Sequence, residues 1–213
     1  MASRLGDQTA RLEGRMTLNP ARHIDPMGTF LYPALMIFGP LFGFTWFGGG
    51  GIIMGWGKPV PVITRNLNKI TRDDNLITCA GPAANLLLAL LAYLLLVVVI
   101  VAVPGGRAAV GITLQGQILL DGLSAPQAIA LLGWFAIQIN LGLIFFNLVP
   151  IPPLDASRFV RNNLPYNALQ TYDNIARFGF ILIFFFGRIV VAVLLTPATN
   201  VVLAALMPFL RGH

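Results

Sequence analysis

Asn147-Leu148-Val149-Pro150-Ile151-Pro152-Pro153-Leu154-Asp155-Ala156-Ser157-Arg158 ends an apolar run rich in Leu, Ile and Phe with three prolines and a carboxylate. Prolines remove backbone donors and stop a regular helix, so the run closes in broken backbone that exposes carbonyls and fixes the direction of Asp155. An ionisable residue at or near membrane depth costs roughly 2.5–3.5 kcal/mol even on insertion scales, and a functional partner is expected. A metal is the partner that fits. Carboxylate oxygen binds zinc at about 2.0–2.2 Å, and a catalytic zinc takes three protein ligands plus water. Asn147 both donates and accepts hydrogen bonds, so it can hold an extended peptide or orient the broken backbone.

Composition sets the medium in which that site works. Of 213 residues, 56% are hydrophobic and 10% charged, with a mean hydropathy of +0.77. A soluble domain would carry about 25% charged residues, so the chain reads as an integral membrane protein. Its net charge of +6 and pI near 10.3 do not indicate nucleic acid. The basic residues lie between apolar runs rather than in a patch interleaved with aromatics, which is the pattern of membrane-anchoring loops. The single cysteine, Cys79, excludes an intramolecular disulfide and is expected as a small apolar filler in a helix.

The chain reads as one membrane-embedded domain over 1–213, an all-α polytopic protein with about three to five transmembrane helices. Residues 1–27 are polar, without the apolar core of a cleavable signal peptide, and Gly6, Gly14, Pro20 and Pro26 divide them into short extended or turn pieces. Residues 28–57 are apolar but interrupted by Pro33, Gly39, Pro40, Gly43 and Gly48 to Gly51, so a broken segment is expected. Residues 58–75 form a polar connection, in which Pro59 to Ile63 suits a short extended edge strand. Spans are expected at 76–103, 126–149 and 178–195, the first an uncharged run longer than the ~20 residues a bilayer core requires. The first opens on Ala80-Gly81-Pro82-Ala83-Ala84-Asn85, small residues that let another helix approach, with Asn85 as interhelical glue. Arg188, inside the third, is expected to snorkel or pair within the protein. Pro197 to Pro208 suits a surface helix or a further partial crossing.

Charge orients the spans. Segments 1–27 and 58–75 each hold four Lys or Arg, 104–125 holds Arg107 alone, and 156–177 holds three. If 28–57 dips in and returns, all three basic segments share the cytoplasmic side, which is where Asp155 then lies. Broken backbone at that depth is tolerated where it lines a cavity or is buried in protein.

The residues exclude several chemistries. No serine has a suitable general-base histidine, and no phosphate loop or dinucleotide fingerprint is present. Only His23 and His213 are available, not at i, i+4 spacing. A makeshift metal site of His23, Asp25 and Asp155 stands beside a structural role for His23, bonding backbone near Pro26.

Asn147-x-x-Pro150-x-x-Pro153-x-Asp155 resembles the second signature of the site-2 protease family of intramembrane zinc metalloproteases. The likeness to small bacterial members extends over Leu5-Gly6-Asp7, Gly14 to Pro20, His23 to Pro26, Gly55 to Val62 and Ala80 to Asn85. It implies hydrolysis of peptide bonds in membrane-embedded substrates, with Zn2+ as cofactor and Asp155 as one of its ligands. It also implies that Asn147 and the segment Pro59, Val60, Pro61, Val62 hold the unwound substrate. Localisation would be the bacterial inner membrane, multi-pass, with the active-site side cytoplasmic. Ala156 stands where the family has glycine, which restricts a turn and spares the ligand. The first signature, His-Glu-x-x-His, is absent from the sequence. In the family it precedes the segment that here begins at Leu5, so the resemblance implies a chain truncated ahead of that helix. As written, with one family ligand of three, the chain is not expected to bind catalytic zinc or to cut. The rival readings are a non-catalytic membrane protein that binds transmembrane peptides and, from the broken span alone, part of a transporter.

Overall fold

The computed structural model describes residues 1–17, 19–42, 57–58, 60–117, 123–152 and 154–211, with the side chains of 36, 40, 180, 184–188 and 190–191 outside that description. Two compact units, Met1–Asp73 and Asp74–His213, are taken separately.

The first unit is built from short turns because glycine, proline and Asx residues punctuate it. A 3-10 turn over Ala2–Leu5 is closed by Gly6 at φ 113°, in the left-handed region that glycine enters without strain. Helix α1 follows at Thr9–Leu12. Asn19 caps the 3-10 turn Pro20–Arg22 by accepting from the Ala21 N–H. Asp25 caps a π-helical turn, Pro26–Leu31, accepting from the N–H groups of Met27 at 3.0 Å and Gly28 at 2.9 Å. This runs into α2, Tyr32–Phe38, and a 3-10 turn, Gly39–Phe42. The remainder of the broken segment expected at 28–57 falls on residues 43–56, outside the described residues.

The extended stretch expected at Pro59–Ile63 is described from Val60 onward. Ile63 is extended at φ −99°, ψ 101°. No β ladder forms among the described residues, in keeping with prolines at 59 and 61 that have no N–H to give.

The long helices carry the second unit. Helix α3 runs Ile70–Ala102, longer at its start than the expected span because Asp73 accepts from the Lys69 N–H at 2.8 Å and caps the first turn. Next come α4, Gly106–Leu114, in what reads from sequence as a plain connection, and α5, Ala125–Asn147, capped by Ser124. The polar stretch after the prolines folds into two short helices, α6 at Asp155–Asn163 and α7 at Tyr166–Ala176. Helix α8 is continuous over Gly179–Arg211 with Pro197 and Pro208 inside it. Of the two forms expected for Pro197 to Pro208, a separate surface helix is not seen, and these residues lie in Ala192–Arg211, which is long and apolar enough to cross. A membrane helix tolerates such prolines, since neighbouring groups and local adjustment satisfy the freed carbonyl.

Among the described residues, three helical segments are long and apolar enough to cross a bilayer: Ile70–Ala102, Ala125–Asn147 and Ala192–Arg211. Leucines 86, 87, 90, 91, 94 and 95 of α3 are exposed, as lipid-facing side chains are when the solvent is hydrocarbon. The protein is an all-α polytopic membrane protein. Its core joins Leu96 and Val99 of α3, Val110 of α4, Ala130 and Ile137 of α5, and Leu206 of α8. Polar links cross the same helices: Tyr93 donates to the Ala205 carbonyl at 3.1 Å and Thr199 to Oε1 of Gln138 at 3.2 Å. Such bonds average about 0.6 kcal/mol in membranes. Asn85, expected as glue of this kind, makes no side-chain hydrogen bond among the described residues.

Candidate functional site

Helix α5 stops at Asn147 because Pro150 and Pro152 deny it further donors. The chain then turns tightly, the Ile151 N–H donating to the Val149 carbonyl at 2.8 Å and the Leu154 N–H to that of Ile151 at 3.0 Å. Val149 and Leu154 bury themselves against Ile183 of α8, fixing the turn between two helices. The Tyr172 hydroxyl from α7 reaches the Pro150 carbonyl at 3.0 Å and that of Ser157 at 3.2 Å. It thereby satisfies an acceptor that the broken helix leaves free. Burial pushes the Tyr172 phenol above its ordinary value, which keeps it a donor.

Asp155 is the first residue of α6, where a carboxylate is favoured by the helix dipole. It is half-buried and accepts no hydrogen bond among the described residues. Burial raises its carboxyl from the ordinary value, against the pull of Arg158 one turn on. That arginine is committed elsewhere: it pairs with Asp74, which also accepts from Nδ2 of Asn162 at 2.7 Å. Asp74 is 2% exposed, so two side chains of α6 are held on one buried carboxylate while Asp155 is left unpaired.

Asp155 opens onto a cavity of about 380 Å³ lined by Thr78, Cys79 and Pro82 of α3, by Asn147 and Pro150, and by Phe159 of α6 among others. The sequence-expected pair Asn147 and Asp155 therefore share one space. Asn147 is half-buried, and like Asp155 makes no side-chain hydrogen bond among the described residues. Helix α3 passes with little bulk, since a Cβ on Gly81 would stand 3.4 Å from Oδ2 of Asp155. Cys79 is exposed and lines the cavity instead of filling a helix contact. Thr78 and Cys79 were not legible as site residues. The signal available was the proline four residues after Thr78, which marks a local break in the α3 hydrogen bonding.

Val60, Pro61 and Val62 belong to the first unit. Val60 is exposed, the other two half-buried, and Pro59 lies outside the described residues. The segment is fixed by Asp7, which is 0% exposed and accepts from the N–H groups of Ile63 at 2.9 Å and Thr9 at 3.1 Å and from Nδ2 of Asn66 at 3.2 Å. The Thr9 hydroxyl donates to it as well, and this bond, followed by that from Ile63, lowers the Asp7 carboxyl to about 2 against the opposing effect of burial. Gly6 fits because a Cβ there would meet the Asn66 carbonyl at 2.7 Å. His23 bonds backbone, its ring Nε2 lying 2.9 Å from the Thr17 carbonyl.

An unpaired, half-buried carboxylate beside a cavity is the right donor type for zinc. As one ligand, Asp155 fits. Among the described residues no group of three or more His, Cys, Asp or Glu gathers to hold a metal, and His213 falls outside them.

The sequence profile of Peptidase family M50 matches residues 41–186. The chain is 31% identical over 182 residues to "Putative zinc metalloprotease YwhC" of Bacillus subtilis (strain 168), covering 85% of this chain and 68% of that protein. It is 28% identical over 201 residues to "Putative zinc metalloprotease Rip2" of Mycolicibacterium smegmatis (strain ATCC 700084 / mc(2)155), covering 93% of this chain and 61% of that protein. No solved structure matches.

Proposed function

The chain belongs to Peptidase family M50, the site-2 protease family of metalloproteases, and from that premise we propose that its cavity is the peptide-binding half of an intramembrane zinc protease site. Asp155 would hold Zn2+ and Asn147 an unwound stretch of a membrane-embedded substrate; the Pro59 to Val62 segment of the first unit, taken by itself, would bind extended peptide. The observation that carries this reading is the Asp155 carboxylate sharing a cavity with Asn147, neither side chain hydrogen-bonded among the described residues. Zinc in such a site supplies a water of lowered pKa and polarises the peptide carbonyl. The residues of this chain contribute one ligand and the grip on the peptide. The reading requires His-Glu-x-x-His residues that the printed sequence does not contain.

The test is cleavage of a transmembrane peptide by the native protein in proteoliposomes. Chelator and Asp155→Ala should each lower the rate at least 100-fold. Equal rates with Asp155→Ala would remove the zinc role. A second reading is a membrane protein that binds transmembrane peptides without cutting them, the cavity serving the peptide alone. Peptide binding that persists in chelator, with no cleavage under any metal condition, would select it.

The basic segments around the spans favour an inner-membrane protein with Asp155 toward the cytoplasm. Accessibility labels placed at Arg107 and at Arg161 should then report opposite sides of the membrane. The same side for both would overturn the orientation.

A further inference from the structure

We propose that Thr78 is a backbone contact for the substrate, its hydroxyl and its main-chain carbonyl pairing with the unwound peptide beside Asp155. The inference rests on the reading of the cavity as a peptide site. Thr78 is 7% exposed and lines the cavity, yet its Oγ1 is buried with no hydrogen-bond partner among the described residues. Two threonines elsewhere in these helices satisfy themselves. Thr113 donates to the Ala109 carbonyl and Thr196 to the Ala192 carbonyl, each at 2.8 Å, the usual bond back to the preceding turn. Thr78 makes no such bond.

Its carbonyl is affected as well. The helical donor four residues on would be Pro82, which has no N–H. One residue therefore carries a hydroxyl and a carbonyl that α3 does not pair in the ordinary way, and a buried unpaired hydroxyl is costly. Nothing among the described residues pairs with the hydroxyl, and the cavity that Thr78 lines is where an incoming partner would meet it. A membrane peptide unwound for cutting has the complementary need, because its N–H and C=O groups lose their own helical partners.

Cys79, exposed, lining the cavity and the sole cysteine, is a built-in reporter that needs neither zinc nor turnover. The probe is a synthetic leucine-alanine peptide of about 20 residues with a central Gly-Pro pair, added in detergent with chelator. Alkylation of Cys79 by N-ethylmaleimide is followed. In the wild type the peptide should slow alkylation. Thr78→Val should need roughly fivefold more peptide for the same protection, the fold-change of one net hydrogen bond, and Thr78→Ser should stay within about twofold of wild type. Equal protection in Thr78→Val, or Thr78→Ser as weak as Thr78→Val, overturns the role of Thr78 while leaving the peptide site standing. No protection in the wild type at any peptide concentration overturns the peptide site itself, and the inference with it.

Discussion

Gly81 of α3 faces Asp155 of α6 so closely that a Cβ at residue 81 would stand 3.4 Å from the carboxylate oxygen Oδ2. That is ordinary contact, enough room for a methyl group and no more. Gly81→Ala should keep zinc affinity within about twofold and add roughly 0.5–1 kcal/mol of stability from helix propensity. Gly81→Leu should push the carboxylate aside and lower zinc affinity roughly 10- to 100-fold, as disturbing a ligand's support does. Titration with a zinc indicator distinguishes them, and unchanged affinity in Gly81→Leu would show that Asp155 does not depend on this approach.

Asp74 holds α6 in place by accepting from Arg158 and Asn162. Its side chain is 3% exposed and that of Arg158 38%, so the pair is only partly desolvated. Removing the carboxylate should cost about 1–3 kcal/mol, below the cost of breaking a fully buried pair. Asp74→Ala should therefore unfold at lower temperature in detergent and increase protease nicking in α6. Thermal stability equal to wild type would show that the pair contributes nothing net.

Asp7 gives the first unit a pH dependence of definite sign. Its carboxyl is lowered to about 2 from an ordinary 3.8, so the unfolded segment takes up a proton before the folded one does. The resulting stabilisation is fully present above about pH 4 and is lost as pH falls through about 2. Hydrogen exchange at the Ile63 amide, which donates to Asp7, should accelerate over that window beyond its intrinsic pH trend. Asp7→Asn should expose the amide at neutral pH and remove the acid-dependent step. A step that persists in Asp7→Asn would assign it to another group.

What the sequence disclosed follows from the range of the interactions involved. Three prolines and a carboxylate after an apolar run fix the end of α5 and the place of Asp155 locally, and the long uncharged runs reveal α3 and α5. The Asp74 to Arg158 pair spans 84 residues and the bond from Tyr172 to Pro150 spans 22. Neither leaves a periodic trace. Helix α4 hid in a connection because nine residues, Arg107 and eight small or apolar ones, are too few to stand out by pattern. Pro197 read as a boundary because proline ends most soluble helices, whereas α8 continues through it. The orphan hydroxyl of Thr78 was invisible for a different reason: whether a threonine bonds to its preceding turn depends on its rotamer, which composition does not encode.

The central claim is that Asp155 is a zinc ligand, and zinc content tests it most directly. Protein purified from its native membranes, wild type and Asp155→Ala, should be dialysed against the same limiting zinc and assayed by mass spectrometry of the metal. The account predicts about one zinc per wild-type chain and at least a tenfold loss of affinity in Asp155→Ala. Equal zinc in both, with both folded, would contradict it.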